Sequence, residues 1–433
     1  MDVKKRRIYY LTISIIFIVL TPIIILFTTG YRFSLVTFSI YKTGVLIVDS
    51  SPAGAKVTIN SENTEKTTPS RFADLHPGSY DLVLTKDNYR PWQTNFQIYT
   101  EQSTIIDSPL LIKKNFDNQN ISADVVTSFW PAPNQQFLAY LESGQDSVLQ
   151  IINIDNNNQQ DITIGKKIIS AKWSDDSNKI LIKTGEGQYS VVDRANNDIT
   201  TLPALSQLSF SEVYWLNGVN LIAQTSKQLY LIKLADRSIN IIRSDNIISS
   251  IKASSDQLWT LTDKTSLELI STNGDTIEEY ALANDDYNFI ENSINHHIGL
   301  ISNTKPLMLL LDGQQLLNIN LTFIPRTTAW NKNRSAFFLA SENEIWVASS
   351  SHDYELNLLE RTSANIAEIN WFNNYHLLYK QKKGVYLIDT DSETQLQKEK
   401  LLSQALEADI IMTTENDVIY YSASQGLNRI KIT

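Results

Sequence analysis

The chain has 433 residues, enough for two or three domains, and its composition (42% hydrophobic, 10% aromatic, 19% charged) excludes wholesale disorder. The net charge is −10 although Lys4, Lys5, Arg6 and Arg7 crowd the first seven positions, so the remainder is more acidic still and lacks the clustered positive charge that nucleic acid demands. With no cysteine, disulfides, thiolate metal sites and a cysteine nucleophile are excluded outright.

Residues 8–30 contain no charge and consist mostly of Ile, Leu, Val, Phe and Tyr. About 21–23 helical residues at 1.5 Å each span roughly 30 Å, the hydrocarbon thickness of a bilayer. Pro22 interrupts the run, but proline is tolerated in membrane helices, and Tyr9, Tyr10 and Tyr31 sit near the two ends, where interfacial aromatics belong. Four basic residues precede the run and only Arg32 follows it closely, which predicts a cytoplasmic tail (1–7), a signal-anchor helix (8–30) and an extracytoplasmic remainder. Two other readings compete. A cleaved signal peptide would have a shorter apolar core and a small-residue cleavage site, and Thr28-Thr29-Gly30 is a poor one. The third is a buried helix of a soluble protein.

A short, partly apolar connector (31–43) leads to Val45-Leu46-Ile47-Val48, then Ser50-Ser51-Pro52-Ala53-Gly54-Ala55, then Lys56-Val57-Thr58-Ile59 ending at Asn60. Thr67-Thr68-Pro69 opens an extended connection, and Pro77-Gly78 makes a turn. The alternation of Tyr80, Leu82 and Leu84 predicts a half-buried strand. Asp87-Asn88 turns again into Tyr89, Trp92, Phe96 and Ile98, so residues 44–113 are expected to form a small β-sandwich. This stretch resembles the PEGA domain, a small β-sandwich of bacterial and archaeal surface proteins. The namesake tetrapeptide stands here as Pro52-Ala53-Gly54-Ala55, followed by Thr68-Pro69, Pro77-Gly78-Ser79-Tyr80 and Asn88-Tyr89. Glu is replaced by Ala53, the usual Asp-Gly hairpin by Asn60-Ser61, and a glycine by Asn88. Asn tolerates positive φ, so the last two changes are mild, whereas Ala53 removes a carboxylate whose role does not transfer. The glycines and prolines are read as turn-shaping residues, and the domain as a spacer or adhesion module.

The rest of the chain repeats. Trp130, Trp173 and Trp215 are 43 and 42 residues apart, Trp330 and Trp371 are 41 apart, and Met412 lies another 41 on. The 115 residues from Trp215 to Trp330 hold units with weaker markers, beginning near Ala253 and Asn292. In each unit an aromatic closes one strand and three more follow across polar turns, the signature of a four-stranded propeller blade. The clearest runs Trp173-Ser174-Asp175-Asp176-Ser177-Asn178-Lys179, Ile180-Leu181-Ile182, Tyr189 to Asp193, and Ile199 to Leu202. Its turn resembles the Trp-Ser-Pro-Asp-Gly turn of TolB-like propellers, related in architecture to WD-repeat proteins. Residues 114–433 are thus expected to form a β-propeller of eight blades, or seven. The last unit holds only three strands, near Ile411, Ile419 and Ile430. An open ring leaves an unpaired edge, so a strand from between Ser108 and Val126 is predicted to complete it. The tryptophans read as blade packing in preference to ligand platforms. A helix is expected within residues 397–408, inserted between two blades.

Chemistry is sparse. His76, His296, His297, His352 and His376 lack metal-ligand spacing, and adjacent His296 and His297 would face opposite sides of a strand. There is no nucleophile elbow and no phosphate-cradling glycine loop. Asp155 with Asn157, and Asp389 with Asp391, open like calcium loops but continue with Gln160 and Lys166, and with Thr394 and Lys400, where glycine and glutamate are required. Asp175-Asp176 and Asp285-Asp286 read as solvated turns. No catalytic, cofactor-binding or metal-ligating residue is nominated. The fold class is therefore all-β plus one transmembrane helix, with the lipid bilayer as partner through residues 8–30. The expected function is a non-enzymatic, membrane-anchored scaffold of the cell envelope that displays a propeller to an envelope protein or cell-wall polymer. The alternative is an envelope hydrolase or lyase with carboxylates converging in the propeller channel. A transmembrane sensor is disfavoured, because about seven residues before the helix form no signalling domain.

Overall fold

The computed structural model describes residues 3–28, 30–34, 39–106, 109–134, 136–202, 210–244, 247–254, 256–390, 398–402, 410–413, 418–423 and 426–433. The chain forms two compact units that divide near Asp117.

The first unit opens with α1 (Val3–Thr28), whose segment Tyr9–Thr28 is long and apolar enough to cross a membrane and has none of its residues buried inside the protein. The expected connector is instead structured: β1 (Tyr31–Ser34) pairs antiparallel with β2 (Ser39–Lys42). The sandwich follows as β3 (Gly44–Val48), β4 (Lys56–Ile59), β5 (Glu62–Thr67), β6 (Ser70–Leu75), β7 (Gly78–Thr85), β8 (Trp92–Ile98) and β9 (Ser103–Ile106). One sheet is ordered β6-β3-β9 and the other β5-β4-β7-β8. Strand β8 alternates strictly, with Trp92, Thr94, Phe96 and Ile98 buried and the residues between them exposed. Trp92, Phe96 and Ile98 meet Leu46, Val48, Val57, Leu82, Leu84 and Ile106 in one core. Each large apolar side chain buried there contributes roughly 1.5–3 kcal/mol.

The second unit is a series of four-stranded antiparallel sheets, each built from consecutive strands: 126–163, 168–201, 212–243, 247–281, 287–320, 327–361 and 366–402. An eighth sheet joins strands from 410–431 to β10 (Asp117–Ser122), in the order β10 beside Gly426–Lys431, Val418–Ala423 and Ile410–Thr413. The strand predicted to complete the last blade is therefore β10. Its side chains reinforce the pairing: Asn120 Nδ2 donates to Asn428 Oδ1 (3.3 Å) and Arg429 Nη1 to Gln119 Oε1 (3.3 Å).

Middle strands of the sheets are buried on both faces, which is why they read as continuous apolar runs such as Leu309-Leu310-Leu311 and Phe337-Phe338-Leu339. Outer strands such as Gln159–Thr163 are largely exposed and polar. Apolar clusters link each sheet to the next, from the pair 126–163 and 168–201 to the pair 327–361 and 366–402. A further cluster joins Val418, Tyr420 and Leu427 of the eighth sheet to Phe129, Leu138 and Tyr140 of the first, so the ring closes on itself.

Two expectations are corrected. Residues 398–402, read as part of an inserted helix, form the outer strand Lys398–Leu402, paired with Gly384–Asp389, because the hydrogen bonds offered by that edge outweigh a short segment's helix propensity. The rest of that expected helix, 397 and 403–408, lies outside the described residues. Asp285 is not a solvated turn residue. It is buried, and accepts hydrogen bonds from Ser302 Oγ (2.8 Å) and Thr304 Oγ1 (2.5 Å). Thr304 foremost, then Ser302 and the Asp286 amide, hold its carboxyl down to about 2 against the opposing effect of burial.

Candidate functional site

Two surfaces bring together side chains that could act on a partner. The first lies where α1 meets the sandwich. Gly30, with φ +83°, turns the chain out of the helix, and its amide donates to Phe27 O (3.3 Å). Arg32 then folds back over the helix end. Its guanidinium lies 3.8 Å from the Phe27 ring centroid and donates to the carbonyl oxygens of Phe27 (2.8 Å), in the last helical turn, and of Tyr31 (2.9 Å). The same guanidinium pairs with Asp74 (2.5 Å). Tyr41 stacks near His76 (4.4 Å), and Lys42 pairs with Glu101 (2.5 Å) beside the Tyr31 ring. The hydrogen bond to Glu101, and then that to Tyr31, push the Lys42 ammonium up from its ordinary value.

The second surface is the inner edge of the propeller, where the first strands of consecutive sheets approach one another. Lys172 and Glu212 meet across two such strands (3.3 Å) at a cavity of about 170 Å³ lined also by Ser170, Lys183, Tyr189 and Ser211. On another first strand, Glu368 lies 3.7 Å from Lys380. Both carboxylates thus face an ammonium. Neither pair stood out in the sequence, since partners 40 and 12 positions apart join only through blade geometry.

The periodic tryptophans are occupied by packing. Trp173 Nε1 donates to Trp130 O (2.8 Å), Trp215 Nε1 to Lys172 O (2.8 Å) and Trp371 Nε1 to Ala329 O (2.9 Å), each reaching the first strand of the preceding sheet. The indole N–H of Trp330 is buried without an acceptor among the described residues. The first strand of the sheet before it, Tyr287–Phe289, is only three residues long. Of the histidines, His296 meets Glu278 (3.1 Å) and His297 meets Asp312 (3.3 Å), so the adjacent pair does diverge. His352 sits with Ser349 and Ser351, and His376 is buried. Asp155 and Asn157 lie in a turn held by Asn153 Oδ1. Asp389 is buried, and Asp391 lies outside the described residues. Asp176 is exposed and caps its own turn; against partial desolvation, Ser174 and Asn178 hold its carboxyl below the ordinary range. Among the described residues no three His, Asp or Glu side chains come together to hold a metal ion.

In the sandwich, the Pro52–Ala55 loop and Thr68 satisfy each other. Gly54 N donates to Thr68 O (2.8 Å), Thr68 N to Ala55 O (2.9 Å) and Ala55 N to Thr68 Oγ1 (3.0 Å), and that hydroxyl also meets Ser50 Oγ (2.6 Å). Lys86 Nζ donates to Ala53 O (2.6 Å), and Asn60, Ser61 and Asn88 all take positive φ. Compared with known families, residues 43–113 match the PEGA domain. The sandwich is a PEGA domain. The turn roles of its motif residues follow from the bonds just given. Replacing Thr68 with isosteric valine should strand the Ala55 amide in the PEGA core, while Ser50 Oγ keeps Pro52 O as acceptor (2.9 Å), at a cost of about 1–3 kcal/mol, read as a lower unfolding midpoint of the chain from residue 31 onward. An unchanged midpoint would contradict that role.

The propeller unit is similar in fold to the C-terminal WD40 domain of Sif2 (12% identity, TM-score 0.51, covering 73% of this chain and 98% of that one). It is also similar to the Dos1 propeller (12%, 0.52, 73% and 94%) and to the computationally designed Ika8 protein (9%, 0.52, 72% and 97%). At these identities the likeness is one of architecture. No curated protein matches the chain.

Proposed function

We infer that the chain is a membrane-tethered binding scaffold of the cell envelope. In this reading α1 crosses the bilayer with Lys4, Lys5, Arg6 and Arg7 on the cytoplasmic side, the PEGA domain sets the stand-off, and the propeller presents a surface to an envelope protein or wall polymer. The observation that carries it is the state of Tyr9–Thr28, a 20-residue apolar helix with no residue buried in the protein, Phe17 and Ile18 being 67% and 68% exposed. A core helix of a soluble protein would hide one face, so the exposure of this segment supports an apolar medium outside the chain. The non-catalytic part of the reading draws support from the lysine-paired carboxylates of the inner edge and from tryptophans already engaged between blades.

Alkaline extraction of membranes should leave the full chain in the pellet, and protease added to wall-stripped cells should digest a tag placed after Thr433. Recovery in the soluble fraction, or a protected tag, would overturn the tether and its orientation. The purified ectodomain should bind wall polymer or an envelope protein without turning it over; hydrolysis or elimination of a glycan or peptide would overturn the scaffold reading.

A further inference from the structure

The β1–β2 ribbon has two faces of different chemistry. Its register pairs Tyr31 with Lys42, Arg32 with Tyr41 and Phe33 with Ile40. Paired residues share a face and successive residues alternate, so Arg32 and Tyr41 occupy one side while Tyr31, Phe33, Ile40 and Lys42 occupy the other. The first side is committed to the sandwich through Asp74 and His76. On the second, Phe33 is 55% and Ile40 58% exposed. Two large apolar side chains side by side on a ribbon are an adhesive surface.

We propose that this face lies in the lipid interface at the end of α1 remote from the basic tail, making the ribbon a second membrane contact that orients the PEGA domain. The proposal rests on the tether reading above. Continuity selects lipid as the occupant. Phe33 follows Thr28, the last residue of the candidate span, by five positions, and Arg32 and Gly30 bind the start of the ribbon to the helix end. If α1 crosses a bilayer, the ribbon cannot stand more than one to two nanometres from its surface. Tyr31 and Lys42 stand together on this same face, an aromatic-and-ammonium pairing suited to the headgroup level, beside Phe33 and Ile40. The charges nearest the lipid, Arg32 and Lys42, already have carboxylate partners in Asp74 and Glu101, so contact strands neither.

The absence of cysteine gives a direct test. Single variants Phe33→Cys and Ile40→Cys of the full chain, labelled with an environment-sensitive fluorophore and reconstituted in phosphatidylcholine vesicles, are compared with Ile18→Cys in α1 and Ile241→Cys on the propeller, native exposures 68% and 55%. Labels at 33 and 40 should be dimmed roughly twofold or more by lipid-borne quencher and shielded from aqueous iodide, as seating at the headgroup–acyl boundary requires. The Ile241 label should behave in the opposite way. Iodide access at both ribbon positions, with Ile18 still quenched from lipid, would overturn the ribbon contact and leave the tether standing. Iodide access at Ile18 as well would overturn both. Shielding from both quenchers with disulfide-linked dimers of Ile40→Cys would assign the face to a second copy, and also overturn it.

Discussion

Replacing Gly426 with valine is expected to open the propeller ring. Gly426 begins the strand that receives β10, and its φ of +101° is strained for any residue bearing a Cβ. A Cβ there would lie 1.9 Å from Ser122 O, 2.9 Å from the Ser122 carbonyl carbon and 3.0 Å from that of Ala123. All three are main-chain atoms at the end of β10, so no rotamer relieves the clash and the closing strand must move. The eighth sheet then loses its edge partner, and the cluster of Val418, Tyr420 and Leu427 with Phe129 and Tyr140 is exposed. Backbone strain and overpacking together should cost more than about 3 kcal/mol. Urea unfolding of the chain from residue 31 onward, followed by tryptophan fluorescence, should show a large fall in midpoint. Gly313→Ala is the control: φ is +62° but nothing lies within 4 Å, so only the conformational penalty of about 1 kcal/mol applies. Equal midpoints for the two variants would refute the closure argument.

The second expectation concerns acid. His376, at the start of strand His376–Gln381, is 4% exposed, and its Nδ1 lies 3.0 Å from Asn373 Oδ1. Burial alone lowers its imidazole to about 3. An unfolded chain binds this proton near pH 6.5 and the folded one only near 3, so the unfolded state holds more protons throughout that interval. Stability is therefore full above about pH 6.5 and falls as the pH drops, by about 1.4 kcal/mol per unit. Between pH 6.5 and 5 the wild type should lose roughly 2 kcal/mol from this residue, visible as a falling urea midpoint. His376→Gln should flatten the slope over that range. Asp285, whose carboxyl is lowered from 3.8 to about 2, adds stability that is lost only as pH falls through that lower interval, so the two effects separate. Parallel slopes in wild type and His376→Gln would remove His376 as the cause.

Much of the architecture was legible because it repeats. Tryptophans at fixed spacing marked the first strands, and the three-strand terminal unit implied a closing strand elsewhere. The segments that escaped are those whose partners, not their own residues, determine their form. Strand β5, Glu62–Thr67, is polar and almost wholly exposed, so no alternation announces it; pairing with β4 makes it a strand. Lys398–Leu402 carries good helix formers, yet an open edge beside it settles the matter. The buried role of Asp285 depends on Ser302, at the end of strand His297–Ser302, and Thr304, just after it, arriving from later in the chain. The ribbon was the closest miss. Its period-two pattern, with Tyr31 and Phe33 answered by Ile40 and Lys42, was present, but its shortness and position just after the helix favoured reading a linker.

The closing strand also sets a waiting time. Asn120 and Asn428 meet across 308 positions of sequence. At about 5–20 residues per second, β10 would leave the ribosome some fifteen seconds to a minute before its partner exists. A strand that must idle in water that long should not be sticky. Asp117-Asn118-Gln119-Asn120 fits the interval, with four polar residues out of the six in β10 before the first large apolar side chain, Ile121. The composition that makes β10 inconspicuous as a strand also protects the nascent chain from pairing too early with the wrong edge.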